Sequence, residues 1–205
     1  MLFRSTSTFA GYQSAVAPGS ATSSAASSSV PKLSCTTATR AVGPAAGVQA
    51  NNNKTFSSAS LFTGCVNGKA VNYPALVING HETPYPKSPF SAGDVINLST
   101  NVTTKGTTVQ VTDVTTGASQ KLTGAGASAS AAYIGDTAWV NSTGTLLGVP
   151  NFGTLTFTKC RIDGITLAAS LPYRYQRVNS SNIVQIATGA LPSTGTRFAT
   201  SYKHS

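Results

Sequence analysis

The chain has 205 residues, of which 9% are charged, and its 14 basic and 5 acidic side chains give a formal net charge of +9. That length suits one domain over residues 1–205, with residues 1–8 as an N-terminal arm, and it can bury a core without metals or many disulfides. Two histidines and three cysteines without zinc spacing predict no metal or cofactor. No run approaches the roughly 18 apolar residues of a membrane span, and no nucleic-acid motif accompanies the scattered basic residues.

From the N-terminus, MLFRSTSTFAGYQ lacks the apolar run of a signal peptide. The Ser/Thr/Ala-rich, charge-poor composition is nevertheless that of a secreted or cell-surface protein. Residues Ser14 to Ser29 read either as a tether or as two thin strands of alternating small residues joined at Pro18-Gly19. Strand alternation then dominates. Ile96 and Leu98 share one face of Val95–Ser99, Val109 and Val111 one face of Thr107–Thr112, and Leu155 and Phe157 one face of Thr154–Thr158. Threonines suit the opposite, wet faces. Ser91-Ala92-Gly93-Asp94, Thr104-Lys105-Gly106, Asp113 to Gly117 and Asp163-Gly164 carry turn signals. Short strands with Gly-bearing turns predict an all-β sandwich or barrel.

Three cysteines allow three single-disulfide pairings. Cys35–Cys65 is the first choice because it closes a short local loop, which leaves Cys160 as a buried thiol. Arg174, Arg177, Arg197 and Lys203 gather towards the C-terminus, and the net charge suits an anionic cell-surface polymer as partner. Thr-rich, charge-poor strands also leave few gatekeepers on sheet edges, so copies of the chain are a second candidate partner.

Several stretches, in order, resemble the glutamic peptidase (eqolisin) family. Phe9-Ala10-Gly11-Tyr12 and Val30-Pro31-Lys32-Leu33-Ser34-Cys35 resemble its W-A-G-Y and V-P-x-x-x-C strands. Pro89-Phe90-Ser91-Ala92-Gly93-Asp94-Val95-Ile96 is similar to its S-P-G-D-x-I turn, and Val111 to Gly117 to its L-x-D-x-T-T-G hairpin. Val149 to Phe157 resembles P-x-x-F-G-x-V-x-F, and Leu191 to Tyr202 the closing strand. The resemblance implies a concanavalin-like β-sandwich of two bent antiparallel sheets with a groove on the concave face. It also favours strands over a tether for Ser14 to Ser29.

The family's hydrolysis uses a Glu as general base on water and a Gln to hold that water and the oxyanion. In the strand Ala131-Ala132-Tyr133-Ile134-Gly135-Asp136, Asp136 falls on the Glu position; in Ser60-Leu61-Phe62-Thr63-Gly64, Phe62 falls on the Gln position. Phe62 has no donor and is expected to be inactive in that role; Asp136 is one methylene short, which alone would not forbid hydrolysis. Gln13 and Gln49 are the nearest substitute amides. Tyr73, Leu76, Ile78, Glu82, Tyr133 and Trp139 are the expected groove residues, with the family's aromatic and acidic lining turned aliphatic over Tyr73 to Gly80. A Ser/His/Asp triad is implausible with two histidines. Glycosidase chemistry would need Glu82 and Asp136 to face each other at about 5–10 Å. The expectation is a non-catalytic structural or surface-binding relative. The alternatives are an acid endopeptidase acting on peptides through Asp136, and a carbohydrate-binding module using Tyr73, Tyr85, Tyr133 and Trp139.

Overall fold

The computed structural model describes residues 3–17, 22–50, 55–87 and 90–204. The expected Pro18-Gly19 joint and Pro89 lie outside them, as do Met1 and Leu2. Sixteen strands and no helix occur among the described residues. In the first half these are β1 (Phe3–Thr6), β2 (Phe9–Ala15), β3 (Thr22–Ser29), β4 (Arg40–Ala50), β5 (Phe56–Val66), β6 (Lys69–Ile78), β7 (His81–Pro84) and β8 (Val95–Val102). The second half holds β9 (Thr107–Asp113), β10 (Ser119–Gly124), β11 (Ala129–Thr137), β12 (Thr154–Ile162), β13 (Ile165–Thr166), β14 (Tyr173–Val178), β15 (Val184–Thr188) and β16 (Phe198–Tyr202). One hydrogen-bonded path runs β10-β9-β8-β3-β12-β16-β15-β14-β2-β11-β4-β5-β6-β7. The path bends so that β8 and β9 pack over β4, β5 and β6.

The period-2 pattern produces this layering. Ile96, Leu98, Val109, Val111, Leu155 and Phe157 all point into the layer between the sheets, as the alternation predicts. Burying each such side chain is worth about 1.5–3 kcal/mol. Thr100 joins the two layers through a polar contact: its hydroxyl donates to Ala46 O at 2.8 Å and accepts from Ala59 N at 2.9 Å. The Ser/Ala segment is indeed strand on both sides, with β2 between β11 and β14, and β3 between β8 and β12.

The turn acids do structural work. Asp94 accepts Ser91 N at 2.7 Å and Asp163 accepts Ser23 N at 2.7 Å. Asp113 accepts Thr115 N and the Thr116 hydroxyl, each at 2.7 Å. Burial raises its pKa, but these bonds outweigh it and hold Asp113 below the usual carboxylate range. Asp163 takes φ 52° and Gly164 φ 76°, the left-handed pair of a tight hairpin. Cys35 and Cys65 are joined and Cys160 is a buried free thiol.

Candidate functional site

The face of β2, β11, β4, β5, β6 and β7 turned away from the core forms a groove with a cavity volume of about 540 Å³. Register defines its floor. Gln13 pairs with Tyr133, Tyr133 with Gly47, Gly47 with Ser58, Ser58 with Val77, and Val77 with Glu82. In-register neighbours share a face, so this row crosses five strand spacings, about 24 Å of sheet. Gln13 Nε2 donates to Gln49 Oε1 at 3.0 Å, bridging over β11. Tyr133 lies across Gly47, where an added Cβ would stand 2.3 Å from its Cζ, and its hydroxyl is hydrogen-bonded to Ser58. Burial pushes that phenol well above its ordinary pKa.

Aromatic rings build the walls. Phe9 meets Tyr133 and Tyr175 edge-on at 5.5 and 5.8 Å. Arg4 lies 4.2 Å from the centroid of Tyr173 and donates to the Tyr175 hydroxyl at 3.3 Å. Phe62 stacks on Tyr73 at 4.7 Å and meets Trp139 edge-on at 5.0 Å. Gly64 and Gly43 make room for this cluster: an added Cβ would stand 2.6 Å from Phe62 and 2.4 Å from Trp139, respectively. Glu82 sits on the exposed edge strand β7, and desolvation within the groove raises its pKa. Tyr73 is raised by burial first and by the charge of Glu82 second.

The structure separates the two residues expected from the sequence at the family's Gln and Glu positions. Phe62 is on the groove face and only 7% exposed. Asp136 is on the opposite face, with Ala132 and Ile134 of the core, and is 0% exposed. The Thr200 hydroxyl donates to Asp136 Oδ2. Asp136 Oδ1, and Nε and Nη1 of the buried Arg177, have no hydrogen-bond partner among the described residues. Burial drives Asp136 up to about 7, against the Thr200 bond and the Arg177 charge. Arg177 Nη2 donates to Leu147 O at 2.8 Å, so Arg177 belongs to the interior and not to a surface basic cluster.

Three expectations are corrected here. Asp136 does not line the groove, because residues 132, 134 and 136 of β11 share the inward face. Glu82 and Asp136 stand on opposite faces, which rules out a facing carboxylate pair. Leu76 and Ile78 belong to the core, and Val77 between them lines the groove. Tyr133, Trp139 and Glu82 do line it, and Tyr73 backs Phe62. Sequence reasoning missed Thr6, Thr8, Tyr175, Val140 and Leu146, which come from segments without a motif.

The sequence matches the model of the peptidase A4 family over residues 7–195. The chain belongs to the peptidase A4 family. No curated protein sequence matches it. Among solved structures, this peptidase A4 chain is similar to scytalido-glutamic peptidase with a transition state analog inhibitor, at 17% identity and a TM-score of 0.78. That match covers 96% of this chain and 98% of the other. It is similar to SCP-B, an eqolisin in complex with the tripeptide Ala-Ile-His, at 16% identity and a TM-score of 0.76, with 96% and 98% covered. It also resembles aspergilloglutamic peptidase from Aspergillus niger, at 16% identity and a TM-score of 0.66, with 80% and 99% covered. These likenesses establish the fold of the eqolisin β-sandwich.

Proposed function

We propose that this peptidase A4 chain is an extracellular β-sandwich that holds an extended peptide in its groove without hydrolysing it. The observation that carries this reading is the inward orientation of Asp136. A general base must stand within hydrogen-bond reach of its water, and Asp136 has no exposed surface. Phe62, stacked on Tyr73 and edge-on to Trp139, has no donor to offer an oxyanion; loss of one such donor costs about 10²–10³ in rate. The tripeptide held by SCP-B supports a peptide as the occupant. The Cys35–Cys65 disulfide supports an oxidising, extracellular setting.

Trp139 is the only tryptophan and lines the groove, so its fluorescence reads occupancy directly. Titration with unstructured peptides is expected to shift its emission saturably. An unfolded protein incubated from about pH 2 to about pH 6 is expected to stay intact. Cleavage that disappears in Asp136→Ala would instead establish the acid endopeptidase.

A further inference from the structure

Five acidic residues serve a chain of net charge +9. Asp94, Asp113 and Asp163 hold turns through backbone amides, and Asp136 is buried against Thr200. Glu82 is the remaining acid, and among the described residues it has no hydrogen-bond or ion-pair partner. It stands at one end of the groove floor, opposite Gln13, with Val77 directly beside it on β6. Phe56, 42% exposed, lines the same end. Among the described residues no lysine, arginine or histidine lines the cavity; Arg4 sits at the far rim on Tyr173 and Tyr175. An uncommitted carboxylate beside aliphatic and aromatic surface is complementary to one kind of side chain. Lysine and arginine lay an apolar stem on such a surface and carry a cation at its end. A charge-assisted hydrogen bond to the carboxylate then fixes the head.

We infer that the groove recognises a polypeptide segment through one lysine or arginine side chain whose charged head pairs with Glu82. This rests on the reading of the groove as a peptide site. Glu82 is here a binding residue and takes no part in bond cleavage. Recognition is local, because the body of the protein repels a cation and the groove is the place where that repulsion is reversed.

The test uses the full chain, Trp139 fluorescence and three blocked peptides of sequence Gly-Ala-Leu-X-Leu-Ala-Gly, with X lysine, norleucine or glutamate. The lysine peptide is expected to bind about tenfold more tightly than the norleucine peptide, and the glutamate peptide more weakly than either. Glu82→Gln is expected to erase the difference between lysine and norleucine, which a double-mutant cycle reads as the coupling. Glu82→Lys is expected to favour the glutamate peptide. Equal binding of the lysine and norleucine peptides to the unaltered chain overturns the inference and leaves the peptide groove standing. Failure of all three peptides to bind the folded chain overturns both.

Discussion

Asp136 sits where burial outweighs two favourable neighbours, the Thr200 hydroxyl and the Arg177 guanidinium, and its pKa rises to about 7. The unfolded chain releases this proton near the ordinary value of about 4. Between those two values the folded state holds a proton that the unfolded state has lost, so stability falls as pH rises. Melting temperatures are therefore expected to decline from about pH 4 to about pH 7, and Asp136→Asn is expected to flatten that slope. A slope unchanged in the variant would show that another group sets it. The inward orientation was legible in part. Ile134 reads as core, and Asp136 lies two residues on, so simple alternation places both on one face. The resemblance to the family's motif implies the other face, towards the groove.

Strand alternation served well where one face is wet and failed where both are covered. In β8 and β9, Asn97, Ser99, Asn101, Thr108, Gln110 and Thr112 on the outer face made the pattern plain. In β6, every residue from Pro74 to Ile78 is buried, so the sequence gives no sign of which side Leu76 and Ile78 take. Gly47 of β4 is the element-scale device that lets the groove floor form, because the Tyr133 ring occupies the space of its missing side chain. Gly47→Ala is expected to displace that ring, break its bond to Ser58 and destabilise the fold by about 1–3 kcal/mol, measured by urea unfolding. Tyr133→Phe, which keeps the ring, is expected to cost less.

The fold as a whole was legible because its signatures are spread along the chain, each set by local turn chemistry: Asp94, Asp113 and Asp163 all sit where the turn signals put them. The groove was not, because its floor joins β2, β11, β4, β5, β6 and β7, which register brings together from residues 13 to 133. No local pattern announces that Gln13 meets Gln49 or that Glu82 ends the same row. The Cys35–Cys65 bond acts at this scale too, tying the segment after β3 to the end of β5 across 30 residues. A closed loop of that size contributes about 3–4 kcal/mol by restricting the unfolded chain. Reduction, or replacement of both cysteines by serine, is expected to lower the urea midpoint accordingly without moving the Trp139 emission of the folded state.

The inward set of β11 also bears on what position 136 can tolerate. Asp136→Glu would drive a longer carboxylate towards Thr200 and Arg177 and not out to solvent. Position 62 is likewise held, stacked on Tyr73 and edge-on to Trp139, in space that Gly43 and Gly64 leave open. Bringing the position-136 side chain into the groove would require β11 to turn over or to gain a bulge. Packing on the inner side of this strand thus decides which face position 136 serves, and leaves the outer face free to be shaped by the groove alone.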